Sequence, residues 1–381
     1  MILKIPLFLL LAAAASSATL IPRPPGPYST VYNTAQLTDT TRLDPFSPHH
    51  NHRTVLTSSF IPTHCPTPLQ ETPYLPPATA TYYTDLFATS NGLNLSNTSS
   101  FLHTLNLQTC PRPSHLNLNF PLLIFSPGFG TTRHLYHILA QEIANEGFIV
   151  ISLDHPYDTE ILEFPNGNII PGMDLNDTQI PLDVQTRAQD ISFIIDQLST
   201  PSGCSTLLGL RNCKVNGLRT DRVGVYGHSL GGAAAAEAMR LDSRIVAGIN
   251  LDGTMFAPVI ETGLHIQSFL LFGHENKTQD TDPTWKEFWG HSRGAWKVEL
   301  ELTGAQHYTF SDLPFLLQVL GVDVHALPGV EGRIGGLEGG RVVEVLRGVV
   351  GGFFGVGLGG GSVRGFLERL SGVPEARIVA Q

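Results

Sequence analysis

The 381-residue sequence predicts an α/β fold, a mostly parallel central sheet with helices on both faces. Three observations carry this expectation. From about residue 120 short apolar runs alternate with helical patterns, the sign of parallel strands joined by crossover helices. Most of those runs are apolar throughout, as strands covered on both faces are. Gly227-His228-Ser229-Leu230-Gly231 lies between one such run, Arg222 to Tyr226, and an alanine-rich helical stretch, Gly232 to Arg240, giving strand, sharp turn and helix in succession.

At the N-terminus, Met1-Ile2-Leu3-Lys4, the apolar Ile5 to Ala15 and Ser16-Ser17-Ala18 have the layout of a secretory leader over residues 1–18, cut after about Ala18. The apolar run is shorter than a bilayer of roughly 30 Å requires. In the oxidising compartment this implies, Cys65, Cys110, Cys204 and Cys213 would form two disulfides. Cys204 with Cys213 and Cys65 with Cys110 is one of three formal pairings, and the sequence leaves the choice open. Sequons at Asn94, Asn97, Asn176 and Asn276 point to glycosylated surface loops.

Residues 19–115 are rich in Pro, Thr and Ser, with one strand-like run at 53–61. Tyr74, Tyr82, Tyr83 and Phe87 argue for an ordered, loop-rich wrap packed on the main domain rather than a disordered stalk. The α/β core is expected over 116–320. Its strands fall at 122–125, 148–153, 223–226, 245–251, 269–272 and 296–302. The last alternates Val298, Leu300 and Leu302 against Glu299, Glu301 and Thr303, which predicts an edge strand with one solvated face. Helices are expected at 134–146, stopped by Gly147, and at 184–199, where Val184, Ala188, Ile191, Ile195 and Leu198 share a face. Residues 321–381 are glycine-rich and read as a poorly stabilised appendage with one helix at 341–354.

Apolar residues make up 42% of the chain, enough for a large core. The net charge is −10, and the 23 Lys and Arg form no basic run, which excludes a nucleic-acid surface. No metal or cofactor is expected. His49, His50 and His52 lie in a Pro-rich loop, the cysteines lack C-x-x-C spacing, and the acidic residues lack an EF-hand pattern.

The pentapeptide around Ser229 has small residues two before and two after the serine, as a turn too tight for Cβ atoms requires. A serine alkoxide is not available near neutral pH, so Ser229 would need a base and a group to orient it. In the order serine, acid, histidine, the base is one of His265, His274, His291, His307 and His325. His307 is best placed, since Gly304-Ala305-Gln306-His307 follows the last predicted strand directly. His265 precedes a strand, His274 follows one closely and stays in contention, and His291 and His325 fall in loops. For the acid, Asp252 ends the strand after the serine's helix, while Glu275, Asp280 and Asp282 follow the next. Spacing alone does not choose. A tetrahedral oxyanion needs backbone donors. Leu230 supplies one, and Phe129 in Ser126-Pro127-Gly128-Phe129-Gly130 the other. His155 and Asp158 are read as lining the cleft or binding backbone.

Taken together, Phe125-Ser126-Pro127-Gly128-Phe129-Gly130, Leu153-Asp154-His155-Pro156-Tyr157, Gly227-His228-Ser229-Leu230-Gly231-Gly232, Asn250-Leu251-Asp252-Gly253 and the run His307-Tyr308-Thr309-Phe310-Ser311-Asp312 resemble the platelet-activating factor acetylhydrolase family in its secreted, fungal-type branch. The likeness covers most of residues 53–320. It implies the α/β-hydrolase fold, Ser229 as nucleophile, His307 as base, Asp252 as acid, and the N–H groups of Phe129 and Leu230 as oxyanion hole. Pro127 stands where better-known members usually carry histidine, and the glycine-rich C-terminus is not a family pattern. The implied function is a secreted serine esterase acting on short acyl esters, foremost the sn-2 acetyl group of phospholipids of the platelet-activating factor type. The alternatives are a secreted lipase, cutinase or polyester hydrolase and, from another class, a catalytically inactive hydrolase fold that binds a ligand. The expected partner is a small-molecule or phospholipid ester, with peripheral contact to a lipid surface left open and no stable protein partner implied. Phe129, Leu230 and the Met255-Phe256 pair are expected near the site, where they would favour a short acyl group.

Overall fold

Nine strands form the central sheet of the computed structural model, which describes residues 18–65, 68–90, 101–113, 115–324 and 328–381. They are β1 (Ser29–Leu43), β2 (His52–Thr63), β3 (Leu122–Ser126), β4 (Ile149–Asp154), β5 (Val223–His228), β6 (Ile245–Leu251), β7 (Ser268–His274), β8 (Lys297–Leu302) and β9 (Ala376–Ala380), in the order β9-β8-β7-β6-β5-β3-β4-β2-β1. Strands β3 to β8 are parallel, and β1, β2 and β9 add antiparallel edges. Most of the leader expected at residues 1–18, the sequons at Asn94 and Asn97, and His325 lie outside the described residues.

Why these runs are apolar throughout is visible in β3, where successive side chains point to opposite faces. Leu122 and Ile124 pack with residues of the helices Ile180–Leu198 and Leu230–Leu241. Leu123 and Phe125 belong to the opposite core with the helices His137–Asn145 and Gly339–Gly357. A strand between two helical layers has no solvated face to be polar on.

Three expectations need correction. Residues 29–63 are not a loop-rich wrap but two long strands of the main sheet, which therefore begins at residue 29 rather than near 116. In β1 the buried Ala35, Leu37 and Asp39 alternate with exposed residues, a period hidden because the polar Asp39 takes a place usually apolar. The rest of the N-terminal segment holds a three-stranded sheet (Thr19–Leu20, Gln70–Pro73, Leu105–Thr109) and the helix Pro77–Ser90, with Tyr74 and Tyr83 buried. Second, β8 is not an edge, because the chain returns at its end and β9 pairs with it. Glu299 and Glu301 are buried and answered by local donors: Gln279 gives Glu299 its N–H at 2.8 Å and its amide at 2.7 Å, and the Asn276 N–H meets Glu301 at 2.8 Å.

Third, the glycine-rich C-terminus is core. Val345, Val349 and Phe353 on the helix Gly339–Gly357 have no exposed surface. A Cβ at Gly357 would lie 2.6 Å from the Ala247 Cβ on β6. Glycine here lets helix and sheet approach, and its cost of about 1 kcal/mol per helical position is offset by the apolar burial that close approach allows. Both expected disulfides are present. Cys65–Cys110 ties the chain after β2 to the strand Leu105–Thr109, and Cys204–Cys213 closes the turn after the helix Pro201–Leu208.

Candidate active site

The ends of β5, β6, β7 and β8 meet in one crevice at the carboxyl edge of the sheet, where parallel α/β sheets hold their ligands. β5 stops at His228, and Ser229 has φ 55° and ψ −125°. A non-glycine residue in that left-handed region carries strain of order 1–3 kcal/mol, which the surroundings must hold. They do so with the Ser229 N–H on the Leu251 carbonyl at 2.8 Å and the Gly232 N–H on the Ser229 carbonyl at 2.9 Å. Only glycine fits at the flanks. A Cβ at Gly227 would sit 2.2 Å from the Gly231 carbonyl carbon, and one at Gly231 would sit 2.0 Å from the Ser126 oxygen.

His307 follows β8 by five residues, in the turn His307–Phe310. Its Nε2 lies 3.0 Å from the Ser229 Oγ and its Nδ1 2.5 Å from Asp252 Oδ2. Asp252, just past β6, is buried and also has a positive φ, 63°. Its other oxygen, Oδ1, accepts the His274 N–H at 2.8 Å and faces His274 Nδ1 at 2.6 Å. Burial alone would raise the Asp252 pKa, but the hydrogen bonds from His274 and His307 outweigh it and hold the carboxyl down at about 2. It is ionised throughout the neutral range.

Of the other candidate bases, His274 thus sits on the carboxylate rather than on the serine. His265 is exposed, and His291 Nδ1 lies 2.8 Å from the Ile260 carbonyl. The later acids stay away from His307. Asp282 caps the helix Pro283–His291 through the Thr284 N–H at 2.9 Å and pairs with Lys277 at 2.8 Å, Glu275 accepts the Gly304 N–H at 2.9 Å, and Asp280 gives its N–H to Thr278.

Sequence reasoning missed the support beneath His307. His228, inside the pentapeptide, donates from Nε2 to the His307 carbonyl at 2.9 Å and receives the Tyr136 hydroxyl on Nδ1 at 2.8 Å. Burial, helped by neighbouring His307, lowers the His228 pKa to about 3, so it stays neutral and keeps this tautomer. An imidazole beside the serine was the one available signal. The loop 127–131 is pinned in the same way. The Gly128 carbonyl takes the Thr131 hydroxyl at 2.8 Å and N–H at 3.2 Å, and the Gly130 N–H goes to the Asp158 carbonyl at 3.2 Å. Because C=O and N–H of one trans peptide point oppositely, holding the Gly128 carbonyl turns the Phe129 N–H the other way. Neither that N–H nor the one of Leu230 has a partner among the described residues. His155 and Asp158 are wholly buried beneath this loop. Met255 is buried as well, its sulfur 2.9 Å from the Asn250 amide, so of the expected Met255-Phe256 pair only Phe256 packs beside Leu230.

A groove of about 250 Å³ opens beside Phe129 and Tyr308 and runs between Leu86, Leu313, Leu317 and Val330. Asp312, two residues past the turn His307–Phe310, accepts the Ile138 N–H at 2.7 Å, the Tyr74 hydroxyl at 2.8 Å and the Leu139 N–H at 3.1 Å. Burial nonetheless raises its pKa from 3.8 to about 7. Between those values the unfolded chain gives up a proton that the folded chain keeps, so stability falls as pH rises from about 4 to 7, by up to about 4 kcal/mol from this group. Urea unfolding at pH 5 and pH 8 is expected to show a loss of about 2.5 kcal/mol in the wild type, the part of the window above pH 5, and a much flatter profile in Asp312→Asn. Equal slopes in the two proteins would contradict it.

The sequence matches the family profile described as "Platelet-activating factor acetylhydrolase, isoform II" over residues 15–162 and 208–334. A probable 1-alkyl-2-acetylglycerophosphocholine esterase of Arthroderma benhamiae is 31% identical over 367 residues, 90% of this chain and 89% of that one. The platelet-activating factor acetylhydrolase of Gallus gallus is 25% identical over 66% of this chain and 67% of that one. Among solved structures, a ferulic acid esterase from Streptomyces cinnamoneus superposes with a TM-score of 0.78 at 27% identity, covering 96% of this chain and 100% of that one. Sheet order, crevice and relatives together define a carboxylic ester hydrolase of the α/β-hydrolase fold. Within that class the chain belongs to the platelet-activating factor acetylhydrolase family.

Proposed function

We propose that this hydrolase is a secreted serine esterase of short acyl esters, with the sn-2 acetyl group of phospholipids of the platelet-activating factor type as its leading substrate. The observation that carries the reading is the line from Ser229 Oγ to His307 Nε2, 3.0 Å, and from His307 Nδ1 to Asp252, 2.5 Å, at the mouth of the crevice. Ser229 attacks the ester carbonyl while His307 takes its proton, and the N–H groups of Phe129 and Leu230 receive the oxyanion. His307 then hands the proton to the leaving alcohol. Water, activated by the same imidazole, releases the acyl group. Asp252, ionised, keeps Nδ1 protonated and steadies the imidazolium.

The choice of substrate is supported by the name of the Arthroderma relative and by the packing of Phe256 against Leu230, the residue after the serine. A second reading, an ester of a phenolic acid, is favoured by the match to the ferulic acid esterase. One assay separates them: initial rates on 1-alkyl-2-acetyl- and 1-alkyl-2-palmitoyl-glycerophosphocholine, methyl ferulate and tributyrin, with and without EDTA. Acetyl is expected to exceed palmitoyl at least tenfold, since a pocket filled by a few methylenes discriminates by about 1–3 kcal/mol, and chelation should change nothing. Faster methyl ferulate turnover selects the second reading. A preference for long-chain esters or loss with EDTA overturns both.

Secretion rests on the leader at residues 1–18 and fits the two disulfides. Protein recovered from culture medium is expected to begin near Thr19 and to carry glycan at the exposed Asn176 or Asn276. Retention in cells with Met1 in place would refute this.

A further inference from the structure

Beneath the loop 127–131 lies a second line of serine, histidine and aspartate. Ser126 Oγ is 2.9 Å from His155 Nε2, and His155 Nδ1 is 2.9 Å from Asp190 Oδ2. All three side chains are without exposed surface, so the line meets no substrate. Asp190 is fixed in turn by the buried Arg53, whose Nη2 lies 2.7 Å away and whose Nη1 reaches the Pro156 carbonyl at 3.1 Å. Beside it Arg187, on the helix Ile180–Leu198 and 1% exposed, donates from Nη1 to the Pro127 carbonyl at 2.6 Å and to Ser126 Oγ at 3.4 Å. Asp158 and Asp183 hold its other edge.

We propose that Arg187 is a positioning residue for the oxyanion hole, acting with the Ser126-His155-Asp190 line to fix the peptides that lead into Phe129. The inference rests on the reading of Ser229 as nucleophile and Phe129 as oxyanion donor. Its physical basis is that the Pro127-Gly128 peptide, whose carbonyl Arg187 holds, is the last before the Gly128-Phe129 peptide. With Pro127 held by Arg187, Gly128 N–H on the Tyr136 hydroxyl at 3.3 Å and the Gly128 carbonyl on Thr131, the Phe129 N–H has one direction left. A preorganised donor works because it needs no rearrangement as charge develops, and a displacement of about 1 Å can cost roughly a hundredfold in rate. Glycines at 128 and 130 give this loop freedom that only such ties remove. A core helix with arginine among its apolar positions is the sequence mark of this device, and nothing in the Ser229 chemistry itself uses that charge.

The test compares Arg187→Lys and Ser126→Ala with the wild type, with folding checked by circular dichroism and thermal melting. Lysine keeps the charge against Asp158 and Asp183 but lacks the planar fork that also reaches Pro127. For Arg187→Lys, kcat is expected to fall about a hundredfold with KM within about threefold, and for Ser126→Ala about tenfold. Affinity for a trifluoromethyl ketone, whose carbonyl adds the Ser229 oxygen and becomes an oxyanion while His307 takes the proton, should fall in parallel with kcat. The pH profile of kcat/KM should not move. Folded Arg187→Lys with kcat within twofold of wild type overturns the proposal. If Arg187→Lys does not fold, Ser126→Ala and His155→Gln both retaining wild-type kcat overturn it equally. Failure of the serine reading is a different result: a fluorophosphonate would then leave Ser229 of the wild type unlabelled.

Discussion

Ser229→Ala is expected to lower kcat on the preferred ester by on the order of 10⁴ to 10⁶, with KM and the melting temperature nearly unchanged. Alanine keeps a Cβ at φ 55°, so the strain of the turn at residue 229 is retained and only the hydroxyl is lost. His307→Ala should lose a comparable factor. It exposes little new surface, because the imidazole is already about two-fifths solvent-accessible, and its anchoring carbonyl still accepts from His228. The double variant should be no slower than either single one, since in the proposed mechanism nucleophile and base act as one unit. Residual catalysis would come from the Phe129 and Leu230 donors and from substrate binding. Stopped assays on the three purified variants, with fluorophosphonate labelling as a control, read this directly. Losses that multiply in the double variant would mean that Ser229 and His307 do not share a step, and substantial turnover in folded Ser229→Ala would remove the serine mechanism altogether.

What the sequence disclosed and what it hid follow a physical division. Strands β3 to β7 were legible because burial on both faces forces apolar runs, and the tight turn at Ser229 because it demands Gly227 and Gly231. His307 could be ranked by its place after β8. What failed was anything decided by distant chain segments. Glu299 and Glu301 alternate with apolar residues as if facing water, yet β9, some 75 residues on, covers that edge and Gln279 and Asn276 answer the charges. β1 escaped notice because the polar Asp39 interrupts its short alternation at a buried place. The glycines of Gly339–Gly357 read as weakness in an isolated helix and become an advantage only against Ala247. Arg187, His228 and His274 were missed as supports for a common reason: a polar residue's role depends on which carbonyl or carboxylate the fold brings to it.

The placement of the acid is tested most sharply by Asp252→Asn, and the geometry leaves that amide no harmless orientation. The His274 N–H, 2.8 Å from Oδ1, can only donate, so the amide oxygen must stay on that side. The NH2 group is then forced toward His307 Nδ1, at the position Oδ2 holds 2.5 Å away. To accept it, Nδ1 must give up its proton. The imidazole then carries hydrogen on Nε2, facing Ser229 as a donor when it needs to be an acceptor. Loss on the order of 10³ to 10⁴ in kcat is expected, with KM little changed. Asp280→Asn and Asp282→Asn should stay within about threefold in kcat, although Asp282→Asn is expected to lower the melting temperature through the cap on Thr284 and the Lys277 pair. Should the large loss appear at Asp280 or Asp282 instead, Asp252 is only a turn residue with a strained φ, and the proton shuttle described for His307 has the wrong partner.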